Sequence, residues 1–444
     1  MRFSLPHLLV AALPLLLAAC NTGTTQSTPA AGAPAALLTP GPWRGELATQ
    51  GQQIPFQFEV QTEAGKPVVY LINKGLNGAE RLRCDSIAAA GDSVSIRLHV
   101  FDAALVVRAD GPVKLKGAWV KYDAKEPYRV PLVATAGAQP GEAFDADGTA
   151  GKVLPVLHQQ LLQGAAYKTT FTDKEGSAYP AVGIFKYNQG DGQNPLRGTF
   201  LTTTGDYRYL AGSIGQGPDS LRLRLSTFDG GHAFLFTGTY DGKQTIKGDF
   251  YSGKSGHETW TATYDPKAKL PDADTLTYLK KGESRLNFKF PSVVRGASIS
   301  PTDAKYRGKV VVLQVLGSWC PNCMDETRFL APWYQQNKQR GVEIIGLGYE
   351  RSPEYQQAAE RLRLMKERLN VGYDVAVAGV SNKDSVARSL PQLAKFLAFP
   401  TTIFLDKKGV VRSIHTGFAG PGTGQYYAEE QAHFNRTVDK LLRE

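Results

Sequence analysis

Residues 310–316 read Val310-Val311-Val312-Leu313-Gln314-Val315-Leu316, an almost unbroken apolar run. A strand with one wet face alternates with polar residues, so a run like this fits a strand covered on both faces, inside a sheet flanked by helices. A helical pattern follows from about Pro321 to Lys338, then an apolar strand from Gly341 to Leu347 and a long helix from Pro353 to Leu369. Thr401–Leu405 and Val410–Ile414 flank Asp406-Lys407-Lys408-Gly409 as a hairpin, and a last helix starts near Gln425. Strands alternating with helices and closed by a hairpin predict an α/β domain over residues 285–444.

The preceding half has a different period. From Trp43 to about Tyr264, short alternating runs are separated by Gly, Asp and Asn turns, the pattern of antiparallel strands. It also repeats. Asp92 to Asp102, with Val94, Ile96 and Leu98 alternating, recurs as Asp219 to Asp229 with Leu221, Leu223 and Leu225. Leu115-Lys116-Gly117-Ala118-Trp119 likewise recurs as Ile246-Lys247-Gly248-Asp249-Phe250. The chain is therefore multidomain: an all-β N-terminal region of two related antiparallel units, 41–135 and 165–265, joined by a connector at 136–164. A linker at 266–284 leads to the α/β domain. The Thr204–Tyr209 turn, His232 and the Ser255–Trp260 turn could line a ligand cleft or be polar hairpin tips, and no metal-ligand spacing stands out.

The first 19 residues carry Arg2 and then an apolar run too short to span a bilayer, ending in small residues, which predicts a signal peptide. Leu17-Ala18-Ala19-Cys20 resembles the lipobox of bacterial lipoproteins. That resemblance implies a lipid on Cys20, with 20–40 as a flexible tether, and places the protein outside the cytoplasm on a membrane, periplasmic in a two-membrane cell. The formal charge of +10 is spread along 444 residues with acids interleaved, and no nucleic-acid signature appears.

Only four cysteines are present: Cys20, Cys84, Cys320 and Cys323. A disulfide-stapled scaffold in an oxidising compartment would use more, so the close pair points to chemistry. Cys84 reads as a small buried thiol or as a resolving one. In Cys320-Pro321-Asn322-Cys323 a buried strand delivers Cys320 to the start of a helix, where unpaired backbone N–H groups and the helix dipole favour a thiolate. Cys320 is then the nucleophile and Cys323 the resolving thiol. A zinc half-site would need two further ligands, and this domain offers only His415 and His433.

Gly317-Ser318-Trp319-Cys320-Pro321-Asn322-Cys323, with the later Phe399-Pro400-Thr401, resembles the thioredoxin-like TlpA/ResA family of membrane-tethered disulfide reductases, over about Leu286 to Glu444. The resemblance implies a thioredoxin-like fold, a cis Pro400 beside the pair, and a client segment bound by Trp319, Pro321, Phe399 and Thr401. It implies exported client proteins with cysteines, a membrane thiol-electron donor and no dissociable cofactor. Glu326, three residues after Cys323 on the same helical face, matches a family carboxylate able to take the Cys323 proton. Gln314 stands where thioredoxin has a buried aspartate, and Pro321 occupies the first intervening position where these reductases usually carry proline in the second. Two rival functions remain: a peroxiredoxin-type peroxidase, whose Pro-x-x-x-Thr-x-x-Cys motif is absent, and a ligand- or metallochaperone-binding lipoprotein with secondary thiols.

Overall fold

The computed structural model describes residues 37–123, 126, 128–137, 164–188, 195–216, 221–241 and 244–444. The expected signal peptide, Cys20, and most of the tether and of the 136–164 connector lie outside them. No helix among the described residues is long and apolar enough to cross a membrane.

The first β region contains β1 (Gly41–Thr49), β2 (Gln52–Glu63), β3 (Lys66–Gly75), β4 (Gly78–Cys84), β5 (Ile87–Ala90), β6 (Ser93–Arg97), β7 (Ala103–Ala109), β8 (Lys114–Lys121) and β9 (Tyr128–Ala136). They form one nine-stranded antiparallel sheet in the order β4-β3-β2-β1-β9-β8-β7-β6-β5. Alternation buries one face: in β9, Val130, Leu132 and Ala134 are inside while Pro131 and Val133 face out. Trp43, Phe58 and Trp119 fill the interior.

The second contains β10 (Ala165–Asp173), β11 (Ala178–Tyr187), β12 (Leu196–Thr202), β13 (Gly205–Asp206), β14 (Leu210–Gln216), β15 (Leu221–Phe228), β16 (Ala233–Tyr240), β17 (Thr245–Ser252) and β18 (Gly256–Tyr264). Here β11 also pairs with β12, so the antiparallel sheet closes into a barrel with no free edge along those strands. Its interior is aromatic, with Phe171, Phe200, Phe236 and Phe250 packed edge-to-face and stacked.

The last region begins with three short strands, β19 (Tyr278–Leu279), β20 (Phe290–Pro291) and β21 (Ser298–Ile299). Its main sheet combines β22 (Val310–Leu316), β23 (Val342–Glu350), β24 (Asp374–Val380), β26 (Thr401–Leu405) and β27 (Val411–Thr416), while β25 (Leu393–Lys395) pairs with β19. The order is β24-β23-β22-β26-β27, with β22–β24 parallel and the final hairpin antiparallel. Helices α1 (Pro321–Asn337), α2 (Tyr355–Arg368) and α4 (Gln425–Arg443) pack on the face formed by Val310, Val312 and Leu316. The opposite face, with Val311, Leu313 and Val315, is covered by α3 (Lys383–Ser389) and by Leu286, Phe288 and Ile299. Every residue of β22 is buried, as its apolar run requires.

These regions share a core. One apolar cluster runs from Trp43 and Trp119 through Phe228 and Leu235 to Cys320, Cys323, Met324 and Phe329. Trp119 Nε1 donates to the Gly230 carbonyl at 3.2 Å, joining the two β regions. The 266–284 stretch is packed as well, through a 3-10 turn at Ala273–Thr275 and the β19–β25 pairing.

Candidate redox site

β22 ends at Leu316, and Gly317-Ser318-Trp319 turns the chain so that Cys320 becomes the N-cap of α1. Pro321 fits the first helical position because the N–H it lacks would have no intrahelical partner there. The Cys323 N–H donates to Cys320 Sγ at 3.4 Å, so the first sulfur takes the place of a capping oxygen. Both cysteines are free thiols; Cys323 is fully buried and Cys320 is 7% exposed. The Phe399–Pro400 peptide is cis, and the Cys320 thiol points at the Phe399 carbonyl, 3.9 Å away. Trp319 donates to the Tyr349 carbonyl at 2.8 Å and meets the Phe399 ring edge-on. Thr401 is buried with its hydroxyl on the Ala398 carbonyl at 2.7 Å, so its side chain shapes the turn before β26.

Glu326 is buried under the sheet. It accepts a hydrogen bond from Gln314 Nε2 at 2.8 Å and another from the Thr402 hydroxyl, and Gln314 Oε1 accepts from Tyr373 at 2.9 Å. Burial lifts its carboxyl to about 7, although both hydrogen bonds oppose the shift. Gln314 and Thr402 thus hold the carboxylate in place. Burial, and then the neighbouring Cys320 thiol, push the Cys323 thiol well above its ordinary value. A proton acceptor close to Cys323 is therefore a chemical need, and a carboxyl near neutrality can fill it.

A second buried carboxylate, Glu350 at the end of β23, holds the loop before Cys320. It accepts from the Ser318 N–H and hydroxyl, each at 2.8 Å, and burial raises its carboxyl to about 7. Beside it a cavity of about 350 Å³, lined by Trp319, Arg351, Arg361, Tyr122 and Asp123, opens between the first β region and the α/β domain.

The other side of the pair is covered by the β regions. Asn322 Nδ2 donates to the Asp206 carbonyl at 3.1 Å, and Gly205 at φ +136° lies so close that a Cβ there would come within 2.9 Å of Asn322. Arg208, buried and at φ +58°, grips Asp325 with two hydrogen bonds of 2.7 and 2.8 Å. The same guanidinium reaches Asp229 at 3.0 Å and Glu80 at 2.6 Å, and Arg328 joins Glu80 to Asp325 from the helix side. This network ties β4, the second β region and α1 together two residues beyond Cys323. Burial, and then Asp325, lift the Asp206 carboxyl to about 7.

None of this network was legible in the sequence, because Arg208 and Asp325 are 117 residues apart and Arg208 sits in an ordinary polar turn. The turns read as a cleft or as free tips meet through shared partners: the Tyr207 and Tyr179 hydroxyls lie 2.8 Å apart and Tyr179 donates to Glu258 at 2.7 Å, while Arg208 and the His232 N–H both bond Asp229. Asp206 and Arg208 turn onto α1, whereas His257 pairs with Asp249 at 2.9 Å and His232 stacks on Phe234. Cys84 is a buried thiol on β4, pushed up to about 12 by burial.

Residues 280–429 match the family model described as Redoxin. The chain is 30% identical over 112 residues to the thiol-disulfide oxidoreductase ResA of Geobacillus kaustophilus, covering 25% of this chain and 57% of that protein. It is 29% identical over 111 residues to the thiol:disulfide interchange protein DsbE of Pasteurella multocida, covering 25% and 52%. The chain thus spans little more than half the length of these curated relatives. Among solved structures, a thiol:disulfide interchange protein of the thioredoxin family from Chlorobium tepidum is 18% identical, covers 37% of this chain and 98% of its own, and gives a TM-score of 0.28.

Proposed function

With a Redoxin domain over residues 280–429 as premise, we propose that this protein is an exported thiol-disulfide oxidoreductase that reduces or exchanges disulfides in client proteins through Cys320 and Cys323. The observation that carries the reading is the placement of Cys320 Sγ at the N-terminus of α1, 3.4 Å from the Cys323 N–H and facing the Phe399 carbonyl beside cis Pro400.

In the reducing direction the Cys320 thiolate attacks one sulfur of a client disulfide, and the other client sulfur leaves as a thiolate and takes up a proton. Cys323 then loses its proton to Glu326 and attacks Cys320 Sγ. The second client thiol is released, and two electrons have passed from the pair to the client. A membrane thiol donor restores the dithiol. Phe399 offers its backbone to an extended client segment, with the Trp319 and Phe399 rings as its walls. Signal cleavage at 1–19 and lipidation of Cys20 place the domain outside the cytoplasm on a membrane.

The two β regions are related units. The repeated segments lie on corresponding strands: β6 and β8 in the first unit, β15 and β17 in the second. In each unit the first strand pairs with the last, β1 with β9 and β10 with β18. They cover the Pro321–Asn322 side of the pair.

A Cys323→Ser variant in its native membrane should accumulate mixed disulfides on Cys320, and a Cys320→Ser variant should accumulate none. Equal yields from the two, or a purified protein without a reversible two-electron couple at these sulfurs, would refute the proposal.

A further inference from the structure

Asp274, His415 and His433 come from three elements: the 3-10 turn at Ala273–Thr275, the end of β27 and the middle of α4. One oxygen of Asp274 and one nitrogen from each ring all lie within 4.8 Å of one another. His415 Nδ1 is 2.7 Å from Asp274 Oδ1, and His433 Nε2 is 3.4 Å from the same oxygen. His433 Nε2 is buried and has no aligned hydrogen-bond partner among the described residues. The far nitrogen of His415, Nε2, lies 2.9 Å from Glu430 Oε1.

We propose that Asp274, His415 and His433 bind a divalent transition-metal ion of the Zn²⁺ class, with Glu430 as the carboxylate partner of the ligating His415. Tetrahedral zinc held at about 2.0–2.1 Å by nitrogen and oxygen places its ligand atoms roughly 3.3 Å apart. The Asp274–His433 gap already has that size, and the Asp274–His415 gap needs to widen by only about half an ångström. A ligating imidazole that donates its other N–H to a carboxylate is the usual outer arrangement of a histidine–metal site, and Glu430 stands at that nitrogen. Glu430 and His433 are three residues apart on α4 and so share one face.

The charges balance too. Two carboxylates and two neutral imidazoles neutralise a dication, and the soft-to-borderline nitrogen donors favour Zn²⁺ over Mg²⁺ or Ca²⁺. A cavity of about 130 Å³, lined by Leu201, Thr202, Leu270, Phe418, His415 and Glu430, adjoins the cluster on its His415 and Glu430 side. Asp274 belongs to the stretch that leaves the second β region, so a bound ion would pin that stretch to β27 and α4.

The test uses the full chain carrying Cys320→Ser and Cys323→Ser, so that the thiols cannot bind the ion, freed of metal by a chelator and titrated with Zn²⁺ in a calorimeter near neutral pH. Expected are stoichiometric binding and two imidazoles in the X-ray absorption spectrum. His433→Ala should abolish that binding, and Glu430→Gln should weaken it about 10- to 100-fold. The metal-free melting curve of each variant checks that it is folded. No stoichiometric Zn²⁺, or affinity left intact by both His433→Ala and Glu430→Gln, would overturn the proposal.

Discussion

Replacing Arg208 by glutamine would leave Asp325, Asp229 and Glu80 facing one another without the cation that bonds all three. The Arg208 side chain is only 4% exposed and those of its three partners are 2–9% exposed, so water cannot take its place. Removing one partner of a buried pair typically destabilises by about 3–5 kcal/mol, because the remaining charge is stranded. The loss should appear first where the network sits, at the contact between the β regions and α1. If Cys320 is labelled through opening of that contact, a shift of this size raises the open population roughly 100- to 4,000-fold, at about 1.4 kcal/mol per decade. The assay pairs urea unfolding with the rate at which a maleimide labels Cys320 in the reduced native protein. Arg81→Gln is the control: its pair with Glu59 is 44% and 32% exposed, so its loss should change stability by only about 0–1 kcal/mol and leave labelling unchanged. An Arg208→Gln protein within about 1 kcal/mol of the parent, or one whose Cys320 is labelled no faster, would show that the network does not hold the β regions over the pair.

Glu326→Gln should remove the rise in Cys320–Cys323 disulfide formation across about pH 7, since only the ionised carboxyl, populated above that value, accepts the Cys323 proton. The same variant should flatten the pH dependence of stability. A carboxyl raised from 4.5 to about 7 gives a contribution that is complete below 4.5 and lost as pH climbs through 7, on the order of 3 kcal/mol. Parallel urea titrations at acid and mildly alkaline pH, identical in slope for parent and variant, would count against it. Cys84, buried and pushed up to about 12, should react with a thiol reagent only on unfolding, and native-state labelling as fast as that of Cys320 would contradict its burial.

The sequence by itself determined what depends on near neighbours. The apolar run at 310–316 dictated a strand buried on both faces, and its junction with Cys320-Pro321-Asn322-Cys323 dictated a thiol at a helix N-terminus. Hydrophobic alternation dictated antiparallel sheets before residue 265, because side chains on a strand change face at every residue. What depends on distant partners was left to tertiary structure. Whether Glu326 is solvated or buried turns on Gln314 and Thr402, which arrive from two other strands. The cover over the pair rests on Arg208 meeting Asp325, and the histidine cluster on Asp274 meeting α4; such contacts obey no spacing rule. Burial decides how strongly these charges act, since a carboxylate shielded from water feels its neighbours at low dielectric, and burial is a property of the packed chain.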